Sequence, residues 1–359
     1  MKRIMTALLA VSLLFALCAC GSSADDVQLT YPAAFAGLEE LIDAAREDGR
    51  LTVLTAQEDS VITALCEKFE ELFDVPVTCR AVGDELPSGG DVWYGDESVC
   101  RTLSESGALL PYTPAAASGL AAAGYDHGDY CAVNVDALGI MVNSDVLNRM
   151  GISAPHALDE LLEAVYRELI WLPSYDTAEG RLFIRAALAQ YGDDTAAYLT
   201  KLDTNVQFYT TGTDTAAKCL ASGECVIGIG WLSSSLAAQR ESSSTVIRMW
   251  VPASEGVPAQ VQATAILAGA THSNAAKLWQ EFALSASAME LAEKSGCSGI
   301  PTVRDTQEAL PSISPDSIEI YAAEDEETAA AVDQVIAEVM AALTENGVDT
   351  EDPLRWSVA

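Results

Sequence analysis

From Leu51 to Ser106, short apolar runs alternate with stretches of helical periodicity, and this alternation restricts the fold more than any other feature of the chain. Leu51-Thr52-Val53-Leu54 reads as a strand. After the cap residues of the loop Thr55 to Ser60, Val61, Ile62, Leu65, Cys66, Phe69, Leu72 and Phe73 recur at helical spacing. Val75-Pro76-Val77-Thr78-Cys79 and Asp91-Val92-Trp93-Tyr94 are the next strands, with Pro87-Ser88-Gly89-Gly90 as a turn between them. A helix follows from about Asp96 to Ser106. Strands joined through helices need crossovers, so the sheet is parallel here and the class is α/β. Ahead of this unit, Phe35, Leu38, Leu41, Ile42 and Ala45 mark an amphipathic helix over 35–48, ended by Gly49.

The pattern continues downstream. Tyr130 to Asn143 reads as two adjoining strands meeting at Asp136-Ala137. A helix is predicted over His156 to Leu172, where Leu158, Leu161, Leu162, Val165, Leu169 and Ile170 are the apolar positions. The loop Pro173 to Gly180 feeds a further helix through Leu188. Thr210 to Thr215 starts a helix that ends near Gly223; Cys225 to Trp231, Val246 to Val251 and Gln262 to Ala268 are strands. Two helices span about 273 to 296, and a last one about 328 to 344. Roughly 340 residues follow Cys20, more than one core usually organises, so two lobes are expected.

The net charge is −34. Nucleic acid and anionic lipid surfaces would be repelled and are excluded as partners. Such acidity serves the solubility of an exported protein or attracts a cationic solute, and composition does not separate the two. Beyond Cys18 and Cys20, the cysteines are Cys66, Cys79, Cys100, Cys131, Cys219, Cys225 and Cys297, an odd number with no CxxC spacing. Cys219 and Cys225 are close enough in sequence to pair; several of the others sit at apolar positions as small hydrophobes.

The chain begins Met1-Lys2-Arg3 and runs apolar from Ile4 to Ala19, interrupted by Thr6 and Ser12. A basic start followed by an apolar run too short for a membrane span is the pattern of a secretory signal. Its end, Leu17-Cys18-Ala19-Cys20, resembles the lipobox of bacterial lipoproteins, and Gly21-Ser22-Ser23 follows as a flexible linker. The resemblance implies cleavage before Cys20, lipidation of Cys20, and anchoring at the outer face of the cytoplasmic membrane, at the cell surface or in the periplasm.

Four further segments carry a second resemblance. Gly49-Arg50-Leu51-Thr52-Val53-Leu54-Thr55 and Gly90-Asp91-Val92-Trp93-Tyr94-Gly95-Asp96 lie in the first lobe; Leu138-Gly139-Ile140-Met141-Val142-Asn143-Ser144-Asp145-Val146-Leu147 and Lys218-Cys219-Leu220-Ala221-Ser222-Gly223-Glu224-Cys225-Val226-Ile227-Gly228-Ile229-Gly230 lie further on. In this order, over about residues 49 to 304, they resemble the type II periplasmic-binding-protein fold of ABC-importer solute receptors, in the ferric-iron, phosphonate and polyamine-like branch. The resemblance implies two mixed sheets flanked by helices and joined by a two-strand hinge. With crossings near Asn143 and near Val251-Pro252, it divides the chain into a signal peptide at 1–19, a linker at 20–34, lobe one at 35–142 plus 252–359, and lobe two at 143–251. It implies capture of a small polar solute between the lobes and delivery to an ABC transporter permease by a monomer that needs no cofactor. The alternatives are a ferric-iron receptor of the same fold, and a ligand-sensing domain for a membrane signalling partner.

Ligands of open α/β sheets bind beyond the carboxyl ends of the strands, where helix N-termini converge. This places Thr55, Gln57 and Glu58, then Trp93 and Tyr94, then Tyr175, Thr177 and Glu179, then Tyr209 and Thr211 around the cleft, with Trp231 and Glu255 closing it. Helix-start N–H groups and hydroxyls suit carboxylate or phosphate oxygens, and the aromatic side chains suit a small ligand or a cation. In the family's iron receptors a tyrosine pair follows the buried strand of lobe two; here Gly230-Trp231-Leu232-Ser233-Ser234 stands there, and His127, His156 and His272 are scattered, which argues against a dedicated metal site. The phosphonate branch's Ser-Gly-Thr loop is replaced by Thr177-Ala178-Glu179-Gly180-Arg181, where Glu179 disfavours a bare phosphate and Arg181 could offset it. No Gly-x-Ser-x-Gly, His-Glu-x-x-His or P-loop pattern points to an enzyme.

Overall fold

The computed structural model describes residues 31–83, 85–120, 123–242, 247–250, 257–297, 299–303, 318–320 and 326–358. The leader with Cys20 and the loop that holds Glu255 lie outside these residues.

Lobe one begins with α1 (Glu39–Asp48), β1 (Leu51–Thr55), α2 (Ser60–Phe73), β2 (Val77–Ala81), β3 (Val92–Asp96) and α3 (Glu97–Glu105). β1 pairs in parallel with both β2 and β3, as the alternation requires. The register of this corner is held by Asp91, which is 2 % exposed. Its carboxylate accepts the N–H groups of Thr52, Thr271 and His272, tying β1 to the loop that enters a later helix. Burial alone would raise its pKa, but the His272 imidazole and these N–H groups outweigh that and hold it below the ordinary value.

β4 (Tyr130–Asn143) is one continuous, fully buried strand, where two had been expected. It stays extended through Asp136-Ala137 because these residues keep their sheet partners, Gln260 and Ala259. α4 (Ser144–Met150) follows. The predicted helix over His156 to Leu172 does not form. The segment makes two 3₁₀ turns, Glu160–Leu162 and Ala164–Tyr166, and then β5 (Ile170–Pro173). The reason lies elsewhere in the chain: the Asn205 amide takes the carbonyls of Leu161 and Glu163, which a helix would need for itself. Glu168 then turns the backbone at φ 57.

α5 (Ala178–Tyr191), α6 (Thr195–Leu202), β6 (Val206–Thr210), α7 (Thr215–Ser222), β7 (Ile227–Trp231), α8 (Leu232–Ser242) and β8 (Ile247–Trp250) complete the body of lobe two. β9 (Val257–Ile266) returns to lobe one and inserts between β3 and β4. α9 (Ser273–Ala283), α10 (Ala286–Lys294), β10 (Ile300–Pro301), β11 (Ile318–Ile320), α11 (Glu326–Glu345) and α12 (Pro353–Trp356) end the described chain.

The strands follow one path, β2-β1-β3-β9-β4-β7-β5-β6, because β4 serves both lobes. Tyr130 to Ala137 pair with β9, whereas Leu138 to Asn143 pair with β7 and β8. The exchange between lobes thus falls at Ala137/Leu138, ahead of the expected crossing at Asn143. The helices bury separate cores: Phe69, Phe73, Trp279 and Phe282 anchor one, and Leu161, Phe183, Leu199 and Tyr209 the other. The second core also holds Val332, Val339, Leu343 and Trp356. The C-terminal helices pack on this second core: α11 lays its apolar stripe on α5 and α6, and α12 packs on β6. All seven described cysteines are free, and Cys225 meets Cys219 through its backbone N–H at 3.0 Å.

Candidate functional site

At the point where β4 passes from one lobe to the other, the surface opens into a cleft of about 480 Å³. Lobe two contributes Glu179 from the first turn of α5, Asp214 ahead of α7, Trp231 at the end of β7, and Ser233 and Ser234 from α8. Lobe one faces them with Gln260 from β9 and with Glu293 and Cys297 at the end of α10. A second cavity of about 150 Å³ adjoins it, sharing Asp136, Gln260, Gly296 and Cys297. Thr55, Asp59, Tyr94, Asn134 and Gln262 line that inner space. Together the cavities are of a size that holds a small organic molecule.

Glu179 is fixed in the cleft from two directions. Its Oε1 accepts the Trp231 indole N–H at 3.1 Å and the Thr213 hydroxyl at 2.9 Å. α5 reaches this position because Gly180 passes tightly over the preceding loop; a Cβ there would stand 2.0 Å from the Ser174 carbonyl oxygen. Asp136, 4 % exposed, occupies the crossing itself. Its carboxylate accepts the Ser233 N–H at 3.1 Å and a very short hydrogen bond from the Ser233 hydroxyl. Burial pushes Asp136 up to about 6, with the hydrogen bonds from Ser233 and Leu232 pulling the other way. Burial also pushes the Cys297 thiol up to about 12, so it faces the cleft as a neutral group. Tyr94 is 7 % exposed and lines the inner cavity.

Of the residues expected from the sequence, the structure brings Thr55, Tyr94, Glu179 and Trp231 to these cavities. Trp93 points the other way. It lies 1 % exposed against Leu54, Cys100 and Leu103, because consecutive residues of β3 face opposite sides of the sheet. Tyr175 and Tyr209 are buried in the core of lobe two, where Tyr209 stacks on Trp356 with ring centroids 4.0 Å apart. Thr177 caps α5 through the Gly180 N–H at 3.0 Å, and Thr211 binds the Val358 carbonyl at 2.9 Å through its backbone N–H. Gln57 and Glu58 are exposed in the loop after β1 and line neither cavity. Glu255 lies outside the described residues.

Sequence reasoning passed over Asp136, Asn134, Asp214, Ser233, Gln260 and Gln262. The signal for the β9 pair was period-two alternation, Gln260 and Gln262 being polar positions in an apolar strand. Asp136 read as the meeting point of two strands, and its partner Ser233 is remote in sequence. Arg181, considered as an anion ligand, turns away to an ion pair with Asp333 of α11 at 2.7 Å. No cluster of three or more His, Cys, Asp or Glu among the described residues is arranged to hold a metal ion.

Known proteins share this architecture. The spermidine/putrescine ABC transporter substrate-binding protein of Streptococcus pneumoniae, 16 % identical, aligns over 82 % of this chain and 99 % of its own with a TM-score of 0.60. The Bordetella ferric binding protein, also 16 % identical, aligns over 82 % of this chain and 98 % of its own with a TM-score of 0.58. At such identities the likeness is one of fold, that of the two-lobed type II periplasmic binding proteins. A Haemophilus influenzae protein of uncharacterized function is 24 % identical over 272 residues, 70 % of this chain and 78 % of its own. The family model described as bacterial extracellular solute-binding protein matches residues 86–298, which include both sides of the cleft. The chain belongs to the family of bacterial extracellular solute-binding proteins.

Proposed function

We propose that the solute is a small polar molecule held in the cleft at the β4 crossing, and that the loaded protein hands it to the permease of an ABC importer. The observation that carries this reading is the position of the cleft. Residues of both lobes line it, so a ligand that touches Glu179 and Trp231 on one side and Gln260 on the other favours the closed arrangement by its differential contacts. Thr55 and Tyr94 would meet the deeper end of the solute, and Asp136 would sit beside it. The leader supports an anchor through lipid on Cys20, which keeps a monomeric receptor beside its permease.

The test is to purify the chain from its native host, denature it and identify what is released by mass spectrometry. The wild-type chain is expected to release one small molecule in near-stoichiometric amount, and Trp231→Ala little of it while still folded by circular dichroism. Equal release from both would place the solute elsewhere. Cys20→Ala should free the protein from membranes in a fractionation assay; continued anchoring would refute the lipid assignment.

A further inference from the structure

The helix starts around the cleft are the places where an oxyanion would be expected to bind. In this chain those of α2, α5 and α8 are already occupied by its own acids and hydroxyls. Asp59 accepts the Val61 and Ile62 N–H groups at the start of α2, both at 2.9 Å. Asp136 takes the Ser233 N–H at the start of α8. The Thr177 hydroxyl takes the Gly180 N–H at the start of α5, and Glu179 stands in that helix's first turn. Asp214 precedes α7 and accepts the Ser234 hydroxyl at 2.6 Å. N–H groups at the starts of α2, α5 and α8 are thereby taken up from within the protein, while Asp214 stands ahead of α7 without capping it.

What faces the cavities is negative. Asp59, Asp136, Glu179, Asp214 and Glu293 line them, and among the described residues no Lys, Arg or His does. Arg181 is engaged with α11, and Lys218 stands 3.8 Å from the Asp214 carboxylate without lining either cavity. Glu179 uses one oxygen, Oε1, for both of its hydrogen bonds, which leaves Oε2 for a ligand. The carboxylates are spread around the space rather than converging, since no described group of them could hold a metal ion. Trp231 adds an aromatic wall, and Tyr94, a residue nine-tenths buried, offers its hydroxyl as a further polar contact in the inner cavity.

We infer that the cleft selects an organic cation, a solute carrying a protonated amine or a guanidinium, and rejects phosphates and carboxylates. This rests on the reading that the cleft is the solute site. A cationic group would donate a charge-assisted hydrogen bond to the Glu179 carboxylate beside the Trp231 ring, with the remaining carboxylates supplying the field that excludes anions.

The test is calorimetry and thermal shift on the purified chain, freed of bound solute by denaturation and refolding, with butane-1,4-diamine, L-arginine and choline against inorganic phosphate, citrate and glucose. At least one of the three cations is expected to bind, with affinity that falls as salt is raised. Glu179→Gln should weaken that binding about tenfold or more, and Asp214→Asn should weaken it as well, so the result does not hang on the folding of one variant. No response to any of the three cations overturns the inference, as does binding that neither variant changes. If an anion or glucose binds and Trp231→Ala abolishes that binding, the cation assignment fails while the cleft remains the solute site.

Discussion

Asp136 holds its proton more tightly in the folded protein than an unfolded chain would, since its pKa is about 6 against an ordinary value near 4. Between these values the folded state binds the extra proton, so the contribution of Asp136 to stability is greatest below about pH 4 and is lost as pH rises through about 6. The loss amounts to roughly 2–3 kcal/mol at most. Asp136→Asn should flatten this part of the melting-temperature profile; an unchanged profile would mean another group titrates there. The titratable and charged groups that share the cavities with Asp136 are Cys297, Tyr94, Glu179, Asp214, Glu293 and Asp59. A cation in the cleft favours the ionised form of Asp136, so its binding should release protons near pH 6, measurable by calorimetry in buffers of different ionisation enthalpy. At this scale the sequence is a partial guide. Trp93 and Tyr94 both looked like cleft residues, yet neighbours on a strand face opposite ways, and only the packing of α3 tells which side is core.

Among the elements, α12 shows how much a short segment can fix. Trp356 stacks on Tyr209, while Arg355 pairs with Asp203 at 2.8 Å and also reaches the Val206 carbonyl. This locks the C-terminal end onto β6. Trp356→Ala should cost about 3–5 kcal/mol, as for other large-to-small changes in a core, and should lower the denaturation midpoint. A change below 1 kcal/mol would show that the end of the chain is only loosely docked. Elements whose signals were local were legible in the sequence: α2 with Asp59 at its N-cap, α5 with Thr177, and α9 and α10 with their apolar stripes. The segment from His156 to Leu172 was not, because its apolar spacing suits a helix and the competitor, the Asn205 side chain, lies more than forty residues away. The docking of α11 was equally hidden, since an amphipathic helix advertises a buried face but not the surface that buries it.

For the whole molecule, β4 makes the two lobes one mechanical unit. Its first part is an interior strand of lobe one and its second part an interior strand of lobe two, so neither lobe can lose it without cost to the other. Thermal unfolding is expected to be a single calorimetric transition, with equal calorimetric and van't Hoff enthalpies; two resolved transitions would show that the lobes melt independently. Two lobes were legible from chain length and from the strand–helix alternation; the sharing of β4 was not, because Asp136-Ala137 reads as the meeting point of two strands. The insertion of β9 between β3 and β4 also governs how the protein comes into being. A chain made from its N-terminus has β1, β2, β3 and β4 in hand while the central piece of their sheet, residues 257–266, is still more than a hundred residues from synthesis. At ordinary ribosomal speed that interval is on the order of ten seconds. Throughout it, the facing edges of β3 and β4 lack the strand that will join them, and lobe one stays unfinished until β5 to β8 have been made. The order of strands acts as a built-in delay, holding the young chain in an open state that export machinery and chaperones can still grasp.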